Sequence, residues 1–398
     1  MGTRDSVPRS TTGLKLNVSK LAVRQGNRPS LGLYAECRPD AKRMFGEQTR
    51  MFAELAAYAD ERGMDVAVLP PGYRRTGRGW RWHSATKRWQ SADVSLPGVV
   101  LRRSGTSRNV APRIVTEDLN YFNAEGCLHT LPLTCSNKWV FYRKMSESAQ
   151  LRDHLPGTHF VQSKDEVHRL LHQYGDIYVK PLNGARGVSI FRLYLVNQMP
   201  LAIWERRVKR SGRSNLHDVE VVERELPTAA DFDRFWRATG FQRCLVQETI
   251  RVPRTREGRP FDFRWLIQCT HDMEVMARVA RIGDVKSVTT NIHTGGRAVP
   301  AEQAVAHVSP HHIDEVIAAV DRVALAVAKR LQRLYGPFAE VGIDLALRNS
   351  GEVVVFEVNP TPGRRMLRSL PGNIREMSLH CLVEYAIRAN GISAGSHQ

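Results

Sequence analysis

Several common signatures are absent from this chain. The six cysteines (Cys37, Cys127, Cys135, Cys244, Cys269 and Cys381) include no C-x-x-C pair. That argues against a zinc site and for reduced thiols in a cytosolic setting. No run approaches the roughly 18 apolar residues of a membrane span, and the first twenty residues lack the apolar core of a signal peptide. The expectation is a cytoplasmic protein with no membrane partner. The first lobe has no G-x-G-x-x-G, and no G-K-[ST] follows the later glycine loop, so neither a dinucleotide fingerprint nor a Walker A motif is present. Acidic residues are scarce: 40 Asp and Glu stand against 58 Lys and Arg, giving a net charge of +18. A polyanion or acidic polymer could exploit that excess. The basic patches at 74–88, 206–213 and 251–259 come without a recognition helix, zinc finger or RNA-binding signature, so nucleic acid is disfavoured as a partner.

What is present is an ordinary globular composition, 42% hydrophobic and 25% charged, long enough for two or three lobes. Residues 1–20 are polar and read as a disordered tail. A short apolar run at 31–35, helical spacing over 45–62 and a strand at 65–69 give a strand–helix–strand opening. A hairpin at 80–91 and a strand at 97–102 complete an N-terminal α/β lobe spanning 21–129. A second lobe, 130–240, begins with a helix over 136–148 for which Ser136 is a plausible cap. Residues 206–226 are basic, then acidic, with no readable pattern. A third lobe, 241–390, holds strands at 243–250, 261–269, 273–281 and 286–291, a long amphipathic helix at 312–335, a terminal hairpin and a helix at 374–389. A tail at 391–398 ends the chain.

The terminal hairpin, "VGIDLALRNSGEVVVFEVNPTPG", poses a question of charge. Its second strand is apolar enough to be covered on both faces, yet it carries Glu357 and Asn359, and Asp344 lies in its partner. Glu357 and Asn359 share a face because they are two apart. A two-residue turn would put Asp344 on that face, and a three-residue loop would need a bulge to do so. Buried carboxylates cost several kcal/mol unless paired. Two carboxylates and an amide oxygen suit Mg²⁺; the alternative is acids that face solvent or meet distant arginines.

Two weaker signals accompany it. In "YVKPLNGARGVSIF" a strand ends at Lys180 and leads into a loop with Gly184 and Gly187, whose backbone could approach a phosphate. In "FDFRWLIQ" and the following strands, Asp262, Arg264, Arg278, Arg281 and Asn291 suggest an anion clamp, with a solvated basic sheet face as the alternative. His293, His307, His311 and His312 read as surface residues.

In order and spacing, Lys138 before a helix, Lys180 at a strand end, the glycine loop, "LVQETI", an arginine-bearing strand and Asp…Glu-x-Asn resemble the ATP-grasp superfamily. The segments "FGEQTRMFAELAAYADERGMDV", "LPGVVLRR", "RPFDFRWLIQ", "TTNIHTGG" and "FEVNPTPG" narrow the resemblance to the endospore coat-associated, YheC/YheD-like ATP-grasp proteins. The implied fold is mixed α/β and α+β: two α+β lobes clamping ATP, preceded by a small Rossmann-like, pre-ATP-grasp lobe. By resemblance, Lys138 and Lys180 would contact the phosphates and the adenine side, Gly184 to Gly187 would close over the phosphates, and Gln247, Glu248 and Ile250 would form the adenine-reading hinge. Gln247 stands where many such enzymes have an acid, and the ribose-binding acid has no clear counterpart.

Asp344, Glu357 and Asn359 would hold one or two Mg²⁺ ions, or Mn²⁺. Arg264 and Arg281 would face the γ-phosphate, and Asn291 would join them in the catalytic set. The resemblance implies an ADP-producing carbon–nitrogen ligase that couples a small-molecule or peptide carboxylate to an amine. It also implies spore-coat association if the host sporulates. A nucleotide-binding structural protein and a polyanion-binding protein remain as alternatives.

Overall fold

The computed structural model describes residues 28–38, 41–104, 110–182, 190–209, 217–285 and 296–395. The expected tail at 1–20, Gly184, Gly187, Asn291, His293 and the expected strand at 286–291 lie outside these residues.

The first sheet contains β1 (Ser30–Tyr34), β2 (Asp65–Leu69), β3 (Arg78–His83), β4 (Arg88–Asp93) and β5 (Val99–Arg102), in the order β4-β3-β2-β1-β5. β1 runs parallel to both β2 and β5. Parallel strands are covered on both faces. Leu31, Leu33, Val68 and Leu101 accordingly enter one core, and Tyr34, Leu69 and Val100 another. In the β3–β4 hairpin Trp82 lies opposite Trp89, which packs edge-on against Phe45.

The second sheet is antiparallel throughout. Its strands are β6 (Thr158–Val161), β7 (Asp176–Pro181), β8 (Phe191–Val196), β9 (Met199–Lys209), β10 (His217–Glu225) and β11 (Cys244–Glu248), ordered β10-β9-β8-β7-β11-β6. Two findings differ from the sequence reading. The unpatterned stretch at 206–226 lies largely in paired strands, in register from Leu201↔Glu225 to Lys209↔His217. Here a basic strand faces an acidic one, as in the 2.8 Å Arg206–Glu220 ion pair, so cross-strand charge replaces apolar alternation. And β11, expected in the third lobe, sits between β7 and β6.

The third sheet is also antiparallel: β12 (Phe261–Cys269), β13 (Met273–Ile282), β14 (Arg297–Pro300), β15 (Glu340–Leu347) and β16 (Val353–Asn359), ordered β14-β13-β12-β15-β16. One face packs on the helices Ile313–Tyr335 and Ile374–Gly395, the second of which carries helix into the expected tail. A single apolar core joins the first and third sheets, through Phe52, Leu101, Phe263, Trp265, Val327 and Leu382. The second sheet has its own core with the helices Lys164–Tyr174 and Ala229–Thr239. No helix among the described residues is long and apolar enough to cross a membrane.

Candidate functional site

A cleft of about 690 Å³ separates the second sheet from the third. Tyr178, Lys180 and Gln247 line one wall; Asp262, Arg281, Asp344, Phe356 and Glu357 line the other; Lys138 and the segment from Glu248 to Arg254 close its ends.

Lys138 enters at the first position of the helix Lys138–Ser146. The cap is Asn137, one residue beyond the expected Ser136: its side chain accepts the N–H groups of Trp139 and Val140, both at 3.1 Å. Such a cap satisfies donors left open at a helix start. It fixes Lys138, whose Nζ lies 3.3 Å from Glu357 Oε2.

Lys180 projects from β7, half-buried, beside the rings of Tyr178 (5.2 Å) and Phe356 (5.7 Å). Its Nζ donates to Gln247 Oε1 at 2.6 Å, and Gln247 Nε2 donates to Thr158 Oγ1 at 2.9 Å. Burial pushes the Lys180 ammonium down to about 8; Glu357 opposes that shift and Lys138 adds to it. This has a measurable consequence. An anionic ligand binds the protonated lysine, so affinity holds below pH 8 and falls above it. We expect the Kd for ATP to rise by up to about tenfold per pH unit beyond 8, the limit for one required proton. Isothermal titration between pH 7 and 9.5, with Lys180→Met alongside, tests this; a flat profile together with unchanged affinity in the variant would remove Lys180 from nucleotide binding.

In the segment expected to form the hinge, the Glu248 N–H donates to the Gly157 carbonyl at 2.9 Å. Its carboxylate accepts from Gly157 N at 3.0 Å and from Arg348 Nη2 at 2.5 Å. Ile250 is buried in the cleft wall.

The β15–β16 hairpin resolves the question of register. Its loop has three residues, closed by Arg348 N donating to the Glu352 carbonyl at 2.8 Å, with Gly351 at φ +91°. A positive φ suits glycine. Leu347↔Val353, Ala346↔Val354 and Leu345↔Val355 pair regularly; the register then slips by one, and Asp344 faces Glu357. Phe356 is the extra residue of a bulge. Directly opposed residues share a sheet face. Asp344 is also opposite Arg264, and Asp262 opposite Arg281, so these five side chains lie on one face with Asn359.

The counter-charge of Asp344 is arginine. Arg264 takes the carboxylate with both Nε and Nη2, the latter at 2.7 Å, and Arg281 Nη1 reaches it at 3.1 Å. Burial opposes ionisation of Asp344, but the two guanidinium groups outweigh it and hold the carboxyl below its usual range. Burial likewise disfavours charged Arg281, yet Asp262 and Asp344 keep it protonated. Arg278 does not join them. It pairs with Trp265 on the opposite face and binds Asp321 at 2.6 Å, because residues three apart in a strand face opposite ways. Asn359 Oδ1 accepts its own chain's Thr361 N–H at 3.0 Å. His311 and His312 are exposed and His307 half-buried; none lines the cleft.

A second charged cluster escaped sequence reasoning. Two positions along β15 from Asp344 stands Gly342, and two further stands Glu340 on the same face. Glu340 is buried between Arg103, just after β5, and Arg364, just after β16. Both arginines also donate to the Pro362 carbonyl, at 2.9 and 3.0 Å, anchoring the loop beyond Asn359 to the first sheet. The doublets Arg102-Arg103 and Arg364-Arg365 were visible, but pairing across 237 residues was not.

The family model "YheC/D like ATP-grasp" matches residues 129–388, more than half of the chain. The chain belongs to that family. Among its YheC/D-like relatives, the endospore coat-associated protein YheD of Bacillus subtilis (strain 168) is 24% identical over 288 residues; the match covers 69% of this chain and 59% of that protein. The endospore coat-associated protein YheC of the same strain is 19% identical over 310 residues, covering 75% and 80%. In three dimensions the chain resembles the D-alanine-D-alanine ligase from Coxiella burnetii with a TM-score of 0.50 at 12% identity, covering 92% and 97% of the two chains. The fold is therefore ATP-grasp, with three sheets.

Proposed function

We propose that this YheC/D-like protein is an ATP- and Mg²⁺-dependent carboxylate–amine ligase of three lobes. The observation that carries the reading is the opposition of Asp344 and Glu357 on one wall of a cleft whose other wall presents half-buried Lys180. Two carboxylates and the Asn359 amide oxygen, on one face of adjacent strands, form a hard oxygen donor set that fits Mg²⁺. When bound there, that ion would offset the negative charge of the nucleotide phosphates.

The chain's own groups supply the rest. Lys138 and Lys180 offset the charge of the phosphates, and the hinge from Gln247 to Ile250 faces the base. Arg281, held by Asp262 through two 2.6 Å bonds, keeps a fixed positive charge beside the reacting end. Preorganised charge of this kind stabilises a transition state without reorganising. A carboxylate oxygen of the acid substrate attacks the γ-phosphorus and ADP leaves. An amine then attacks the acyl carbon of the acyl phosphate, inorganic phosphate departs, and the amine proton passes to solvent. Gly184, Gly187 and Asn291 belong to this proposal by family resemblance.

The test is ADP release from ATP and Mg²⁺ against amino acids, short peptides and acidic polymers. Release that requires one of these substrates supports ligation and names its class. Nucleotide binding with no substrate-stimulated release favours a structural nucleotide-binding role, the alternative suggested by the coat association of YheC and YheD.

A further inference from the structure

The two arginines on Asp344 are bound in different ways. Arg281 has a second anchor, its bidentate pair with Asp262. Among the described residues, Arg264 ion-pairs with Asp344 alone. Its stem crosses Gly342, where a Cβ would stand 3.2 Å from Arg264 Cδ and 3.2 Å from Pro362 Cβ. Glycine at 342 thus leaves the passage by which Arg264 reaches the carboxylate. The Arg264 guanidinium itself stands outside the cleft wall that Asp344 lines.

We propose that Arg264 is an exchangeable counter-ion for Asp344, competing with the divalent cation for the same two oxygens; this rests on the ligase reading above. A guanidinium fork occupies the lone-pair directions that a hard cation needs. Arg281 holds the buried carboxylate through a single 3.1 Å contact and offsets its charge only in part, so the arriving cation takes over the charge and the oxygens that Arg264 gives up. The cation therefore has to displace Arg264 as it binds. Arg281 remains in place throughout, because Asp262 holds it. The protein alone then has low affinity for free divalent cation, and the metal is retained when the nucleotide phosphates add their own oxygens. Arg264 is a positioning residue in this scheme: it acts through Asp344.

Mn²⁺, detected by electron paramagnetic resonance, reports metal binding without any turnover. It would be titrated into the full chain without nucleotide, for wild type, Arg264→Gln and Arg264→Lys, and for Asp344→Asn combined with Arg264→Gln. Arg264→Gln is expected to bind Mn²⁺ about tenfold more tightly than wild type, the scale of one charge-assisted contact to the carboxylate removed from competition. Arg264→Lys, which keeps the charge but loses the fork, should fall between them. The double variant should lose the gain. Equal or weaker binding by both Arg264→Gln and Arg264→Lys would overturn the proposal. Repeating the titration with ATP separates the two readings. If Mn²⁺ binds with ATP but wild type and Arg264→Gln do not differ without it, only the counter-ion role fails. If no form binds Mn²⁺ even with ATP, the metal-dependent ligase reading fails with it.

Discussion

If the ligase reading holds, Glu357→Gln is expected to abolish substrate-dependent ADP release while leaving the protein folded. The substitution removes one negative charge from the reacting wall of the cleft and keeps the side-chain shape. Losing a single preorganised electrostatic contact in an enclosed site costs on the order of a hundred- to a thousandfold in rate, and a metal-ligating carboxylate should lie at the upper end. Stability should hardly respond, because the Glu357 side chain is 40% exposed and its described ion pair is the one with Lys138; partly exposed pairs contribute little. Steady-state ADP release and a melting curve on the same sample decide the matter. Full turnover in the variant would take Glu357 out of the metal set.

The largest effect on stability should come from Glu340→Gln. Glu340 is 4% exposed and lies between two guanidinium groups that are themselves buried. Removing its charge leaves Arg103 and Arg364 uncompensated, which for a buried pair costs about 3–5 kcal/mol. Gln268 Nε2 also loses a charged acceptor at 3.2 Å. The melting midpoint should fall by several degrees, and a midpoint equal to wild type would refute this account. Acid should mimic the variant. Burial raises the Glu340 carboxyl, but Arg364 and Arg103 outweigh it, so the folded value lies below the ordinary one. A depressed carboxylate stabilises the fold above its unfolded pKa of about 4.3. The contribution is lost as pH falls through the lower folded value.

The site was only partly legible in the sequence. Lys180, Asp344 and Glu357 stood out because a charge in an apolar strand or at a strand end is a local anomaly; Lys138 was picked out only by the family resemblance. That Asp344 and Glu357 face each other depended on a bulge, which periodicity alone does not reveal. Arg278 could have been excluded by counting, since it and Arg281 are three apart. The arginine partners of Asp344 were named, but as ligand-facing groups; the ion pairs themselves needed the strand order β13-β12-β15. In the fold, the α/β opening, the Trp hairpin and the long helix could be read from periodicity and turns. The pairing of 206–209 with 217–220 could not, because charged residues such as Arg206 and Glu220 face one another there and leave no apolar rhythm. The placement of β11 in the second sheet was equally hidden, since a strand's sequence does not name its neighbour.

The one-residue slip in β16 has a consequence for how the chain can change. A regular strand sends every second side chain to a given surface, whereas here the consecutive residues Phe356 and Glu357 both reach the cleft. Deleting Phe356 would let Glu357 fall opposite Asp344 in an unbroken ladder. The carboxylate would keep its address, and the loss would be confined to the ring beside Lys180. Insertions and deletions usually scramble a strand; at this point, shortening the chain would repair the pairing and spare the acid.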